Sequence, residues 1–180
     1  MIKILYNIVR VVQSGAKWCQ VERNRRLVSF YDHESKGGRS MFGGEYRHSL
    51  DSKNRIFIPS KLRDDLGGCF VVAKDIRTEC LKVFSLSGWE EYLEPILKQN
   101  RSLKERVLRH LSASMVQVSP DSQGRITLPK ELVEYARIES AAVVVGCFDY
   151  AEIWAQEAYD RMKAEEDVSA LLSELESLGL

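Results

Sequence analysis

The stretch DSKNRIFIP at residues 51–59 returns as DSQGRITLP at residues 121–129. Sliding the sequence by seventy superposes Asp51 on Asp121, Ser52 on Ser122, Arg55 on Arg125, Ile56 on Ile126, Pro59 on Pro129 and Leu62 on Leu132. The same shift pairs Val83 with Ile153, Phe84 with Trp154 and Trp89 with Tyr159. A register held over so long a stretch is a duplicated module, and a duplication constrains the fold before any single residue does.

Each copy reads alike. A strand at 46–50, or at 114–118, leads into an Asp-containing turn, DSKN or DSQG. Asn54 and Gly124 hold the turn position where a positive φ is tolerated. A second strand follows, RIFI or RITL, and proline ends it, because proline cannot donate to a ladder and suits the first turn of a helix. The short helices SKLRDDL and KELVEYA come next, then the strand pairs CFVVA with CLKVF and AAVVV with YAEIW. A helix closes each copy. In the first, Ser87 and Glu90 have capping-box spacing, and Trp89, Tyr92, Leu93, Ile96 and Leu97 form an apolar stripe assigned to the core. Pro95 is expected to bend or break that helix. A linker helix is expected from Ser102, capped through Glu105, with Leu103, Val107 and Leu111 on one face.

One copy of four short strands cannot bury enough surface to stand alone, whereas two copies in one chain can pair. The expected architecture is therefore α+β: an intrachain pseudo-dimer built as a small β-barrel, with both turns brought to one side. The expected organisation is an extension over 1–40, a first module over 45–92, a helical linker over 93–113, a second module over 116–159 and an acidic helix over 160–180.

Asp at the start of each turn and Arg four residues later read as a coupled pair. Hairpin strands lie about 5 Å apart, so the two side chains can meet across the turn, and the carboxylate can also accept turn N–H groups. Such a pair fixes the direction of a guanidinium, whose planar fork suits phosphates and guanine edges. The bland alternative is that Asp51–Arg55 and Asp121–Arg125 only stiffen their turns, and the two readings are compatible. Charge favours an anionic partner locally rather than globally. The chain carries 26 Lys/Arg against 26 Asp/Glu, yet residues 1–40 hold eight Lys/Arg against three Asp/Glu and residues 45–63 carry a net +3.

Other functions find little support. The four cysteines and three histidines are scattered without ligand spacing, so no metal or cofactor is expected. No GxxxxGK[ST] or GxGxxG occurs. His48, Ser49 and Asp51 do not read as a triad, since alternation along a strand sends them to different faces. An enzyme and a small-molecule substrate are therefore not expected. Nor is a membrane partner, because no apolar run approaches the roughly 20 residues a span needs. Scattered thiols without an export signal point to the cytosol.

From Met41, MFGGEYRHSLDSKNRIFIPSKLRDDLG strongly resembles the amino terminus of MraZ proteins, and DSQGRITLPKEL is similar to their second AbrB-like repeat. The resemblance covers residues 41–170 and both DxxxR motifs. It implies two tandem AbrB-like swapped-hairpin barrel modules, ring-shaped homo-oligomers and a nucleoid-associated bacterial regulator. That regulator would act, usually as a repressor, on the division and cell-wall gene cluster and on its own promoter. It would bind double-stranded DNA at promoter direct repeats through the DxxxR turns. By position, Arg55 and Arg125 take the DNA-contacting role and Asp51 and Asp121 the orienting role. Lys53 and Asn54 in the first turn and Gln123 in the second complete the site. Gln123 stands where a basic residue would, which leaves the second turn's share of the contact less defined.

Residues 1–40 depart from the family pattern. Lys36-Gly37-Gly38 can be encoded by ribosome-binding-site-like purines, so Met41 reads as the true start. On that reading the preceding codons are promoter DNA: Trp18 requires TGG, and Ser14-Gly15 and Val21-Glu22 permit TGG at ten-nucleotide spacing, about one DNA turn. The rival readings are a disordered extension and a basic arm carrying Arg23, Arg25 and Arg26. For the whole chain, the rival function is a protein-interaction module of antitoxin type. Its docking element would be the tail AEEDVSALLSELESLGL, with Val168, Leu171, Leu172, Leu175 and Leu178 near helical spacing. Packing of that tail on the barrel or on a neighbouring protomer is the expected use.

Overall fold

The structure, a computed structural model, describes residues 41–180, so the expectations for residues 1–40 lie outside the described residues. The first half runs β1 (Glu45–Ser49), β2 (Arg55–Phe57), α1 (Ser60–Leu66), β3 (Phe70–Lys74), β4 (Leu81–Ser85) and α2 (Leu86–Leu97). After α3 (Arg101–Ala113) the pattern repeats as β5 (Met115–Val118), β6 (Arg125–Thr127), α4 (Lys130–Tyr135), β7 (Ala141–Gly146), β8 (Ala151–Ala155) and α5 (Gln156–Glu165), followed by α6 (Val168–Ser177).

Among the described residues, six strands form one antiparallel sheet in the order β1-β7-β8-β4-β3-β5, and β2 pairs with β6 in a separate two-stranded ribbon. Exchanging each strand for its counterpart in the other copy reverses the order and leaves the sheet unchanged. Two pairs lie on the pseudo-twofold axis, each a residue facing its own counterpart: Lys82 opposite Glu152 where β4 meets β8, and Ile56 opposite Ile126 where β2 meets β6. The hairpins are swapped, because β1 pairs with β7 of the second copy and β5 with β3 of the first. The expected α+β pseudo-dimer of swapped hairpins is the observed fold. Among the described residues, no hydrogen-bonded ladder closes the sheet into a barrel. Instead, the β2–β6 ribbon lays Ile56, Ile58, Ile126 and Leu128 onto the inner sheet face, among Phe70, Val72, Leu81, Val83, Val144 and Ile153. Each fully buried Ile or Leu contributes about 1.5–3 kcal/mol, so this ribbon is anchored apolar-side down.

The N-terminal lead strand fixes one end of the swap. Phe42 bridges Phe148, and a Cβ on Gly146 would lie 2.4 Å from the backbone N of Gly43, so only glycine lets the two backbones approach. Arg47 pairs with Asp160 at 2.7 Å and Lys163 with Glu45 at 3.0 Å, again between copies.

Several local expectations are corrected. The cap of α2 is Ser85, whose hydroxyl accepts from Gly88 N at 3.0 Å, rather than Ser87. The cap of α3 is Asn100, accepting from Leu103 N at 3.0 Å, while Glu105 pairs with Arg101 instead of closing a capping box. Pro95 is carried inside α2, two residues before its end, so it does not break the helix at its own position, although without an N–H it gives the Glu91 carbonyl no ladder bond. The α2 stripe is not core: Trp89 and Tyr92 lie with Phe84 and Tyr150 on the outer sheet face, and no α2 residue is buried. Of the two uses expected for the tail, packing on the protein's own sheet is not observed, since all residues of α6 are exposed in the single protomer. No described helix is long and apolar enough to cross a membrane.

Candidate nucleic-acid interface

The two DxxxR turns are built the same way. Asn54 has φ 55° and Gly124 φ 77°, the left-handed conformation that lets the chain reverse within four residues. Asp51 N donates to Arg55 O at 3.0 Å and Asn54 N to Asp51 O at 2.9 Å; the second turn repeats these bonds at 2.8 and 2.9 Å. The aspartate then does two jobs with its two oxygens. Asp51 Oδ1 accepts from the backbone N–H of Lys53 and of Arg55, both at 2.9 Å. Its Oδ2 accepts from Arg55 Nε and Nη2, both at 2.7 Å. Asp121 accepts likewise from Gln123 N and Arg125 N at 2.9 Å, and from Arg125 Nε and Nη2 at 3.0 and 2.8 Å.

These bonds hold the carboxylates ionised. The Arg55 guanidinium, helped by the Arg55 and Lys53 N–H groups, pulls the Asp51 carboxyl down to about 2. The Arg125 backbone N–H and guanidinium lower Asp121 in the same direction. Each arginine spends one edge of its fork on the clamp and keeps Nη1 for something else. The clamped side chains are about two-thirds covered, so the guanidiniums are constrained without being buried.

The ribbon decides where they point. Arg55 is opposite Thr127, Ile56 opposite Ile126 and Phe57 opposite Arg125. Because Ile56 and Ile126 face the core, strand alternation turns Arg55, Phe57, Arg125 and Thr127 to the other side, away from the sheet. Arg55 and Arg125 are therefore diagonal neighbours, typically about 7–8 Å apart. The turns are also stitched to each other: Leu128 N donates to Asn54 O at 2.9 Å, and Ile58 N to Gly124 O at 3.0 Å. Lys53 and Gln123 stand exposed at the two tips, Asn54 is half-buried and Gly124 is buried.

One neighbouring cation escaped the sequence reading. Arg63 of α1 donates through Nε to Ile58 O at 2.9 Å and stacks its guanidinium over the Phe57 ring, 5.6 Å from the centroid. It lies against Gly124 of the second turn, where a Cβ would meet Arg63 Cζ at 2.7 Å. Its counterpart under the seventy-residue shift is Val133, and that mismatch between copies was the available signal. On the other side, His48 packs its ring on Phe57 at 5.2 Å, with Nε2 buried and, among the described residues, without a hydrogen-bond partner; burial pushes its pKa down.

Two comparisons bear on this architecture. The family model described as "MraZ protein, putative antitoxin-like" matches twice in tandem, over residues 41–110 and 111–175. Three curated relatives carry the name "Transcriptional regulator MraZ". That of Clostridium acetobutylicum is 37% identical over 144 residues, covering 78% of this chain and 100% of the relative. That of Dictyoglomus thermophilum is 32% identical over 139 residues, covering 76% and 94%. That of Pelotomaculum thermopropionicum is 39% identical over 128 residues, covering 69% and 87%. With both halves matched and relatives above 30% identity aligned almost end to end, this chain belongs to the MraZ family.

Proposed function

We propose that this protein is a sequence-specific DNA-binding transcriptional regulator that reads duplex DNA with the outer face of the β2–β6 ribbon. The observation that carries the reading is the pairing of two carboxylate-clamped arginines, Arg55 and Arg125, on one side of a rigid ribbon. A clamped fork presents its remaining donors in a fixed direction, as a base edge or a phosphate pair requires. Lys53 adds charge at the first tip, while Asn54 and Gln123 offer amide groups beside the arginines. The names of the curated relatives support regulation of transcription as the process.

The finer reading is repression of the division and cell-wall gene cluster, including this protein's own promoter, through direct repeats. It places the protein in the cytoplasm at the nucleoid. A ring of protomers would repeat the modest positive face, and multivalent contact would multiply weak affinities. Binding then falls steeply with salt as counterions are released.

The test is fluorescence anisotropy on the duplex upstream of the gene, comparing the unsubstituted chain with Arg55→Ala. Loss of binding with little change in Tm is expected. Normal binding by the variant would make the first turn structural only. A second reading, an antitoxin-type interaction module, draws on α6, whose Val168, Leu171, Leu172 and Leu175 are all exposed. Failure to bind any duplex, with a stoichiometric protein partner engaged through α6, would favour it.

A further inference from the structure

We propose that Arg63, carried by the first copy, is the phosphate-contacting cation of the second turn. The inference rests on the DNA-binding reading and says which residues supply the net charge that reading needs. The clamped arginines do not supply it, since Asp51–Arg55 and Asp121–Arg125 are each electrically balanced pairs. A balanced pair can donate directed hydrogen bonds, but it releases few counterions from a phosphate backbone. At the first turn the uncompensated cation is Lys53; at the second, Gln123 occupies that position and brings none.

Arg63 supplies the missing charge by a tertiary route. Among the described residues it forms no ion pair. It is held by neutral groups, the Ile58 carbonyl and the Phe57 ring, so its charge remains uncancelled. Only Nε is spent on Ile58, leaving the Nη1 and Nη2 donors beside the second turn. Phe57 faces the same side as Arg125, directly across the ribbon. The guanidinium it carries therefore belongs to the surface that presents the clamped arginines.

The seat exists on one side only. Under the repeat, Phe57 corresponds to Thr127, Arg63 to Val133 and Gly124 to Asn54. The mirrored location thus lacks the aromatic platform, the cation and the space. Gly124 answers both demands at once: its φ of 77° suits the turn, and the missing Cβ makes room for the guanidinium, which a side chain would meet at 2.7 Å. Each turn then carries one clamped arginine and one uncompensated cation, reached by different means.

The experiment measures binding of the full chain across a salt series, on a labelled random-sequence duplex and on the duplex upstream of the gene. Arg63→Met keeps an apolar stem on Phe57 and removes the charge. The slope of log K against log salt is expected to become shallower by about 0.9 for each protomer engaged. Both duplexes should lose affinity by the same factor, as a phosphate contact requires. Gln123→Lys in the Arg63→Met background should restore the slope while leaving the Tm of Arg63→Met unchanged, which separates lost charge from lost turn structure. If Arg63→Met unfolds, Arg63→Gln, which keeps a donor for Ile58, takes its place with the same expectation. An unchanged slope, a loss confined to one duplex, or no rescue by Gln123→Lys overturns the assignment alone. No binding by the unsubstituted chain at any salt overturns the DNA reading and the assignment with it.

Discussion

Asp51→Asn separates the two jobs of the turn aspartate. The carboxylate accepts four bonds, two from backbone N–H groups at Oδ1 and two from the guanidinium at Oδ2. An asparagine keeps Oδ1 for Lys53 N and Arg55 N, so the turn survives. Its amide then turns a donor toward Arg55 Nε, where 2.7 Å between two donors is repulsive, and the guanidinium is released. The charge changes too. The ribbon face carries four cations, Lys53, Arg55, Arg63 and Arg125, against two carboxylates, Asp51 and Asp121; the variant leaves four against one. Affinity for random-sequence DNA is therefore expected to rise, with a salt slope steeper by about 0.9 per protomer engaged. Discrimination for the operator is expected to fall by about ten- to a hundred-fold, the worth of one well-directed arginine contact. Competition anisotropy with both duplexes, alongside circular dichroism, reads both numbers. An unchanged specificity ratio would refute the clamp as an orienting device. A parallel loss on both duplexes would mean that the carboxylate supports DNA binding only through the fold of the turn.

Ile126→Ala removes three carbon atoms from a fully buried side chain on the pseudo-twofold axis, facing Ile56; urea unfolding should show a loss of about 2–5 kcal/mol, and a loss below about 1 kcal/mol would mean the ribbon is not seated on the sheet. His48 is held neutral by burial, its pKa below the usual 6.5. The unfolded chain therefore takes up the proton first, and stability present above pH 6.5 falls as pH drops through the folded value. His48→Val, which copies the counterpart Val118, should abolish that part of the pH dependence in a series of unfolding curves, and identical curves for the two proteins would exclude it.

The duplication was legible because it is written in identities, and a repeated half-core has few ways to complete itself. Asp51, Arg55, Asp121 and Arg125 were legible for the same reason, since four residues of separation across a hairpin is a local geometry. The caps were missed by two residues in α2 and α3, because Ser85 and Ser87, or Asn100 and Ser102, have equal capping chemistry and only the helix register chooses between them. The α2 stripe was assigned to the wrong environment because periodicity marks an apolar face without saying whether it meets the inner or the outer side of a sheet. The mismatch with Val133 marked Arg63 as different, but not where it sits, because its seat joins α1 to Gly124, far along the chain, and depends on what glycine lacks.

The strand swap has a consequence for biosynthesis. Glu45 in β1 is registered against Val145 in β7, one hundred residues downstream. At about 5–20 residues per second, the earliest strand emerges from the ribosome roughly 5–20 s before its mate. During that interval the amino-terminal half is committed to a partner not yet made. Long-range pairing of this kind folds slowly, and the nascent half exposes an edge to any other nascent half nearby. Closure of the two copies within one chain therefore competes with pairing across two chains being made side by side.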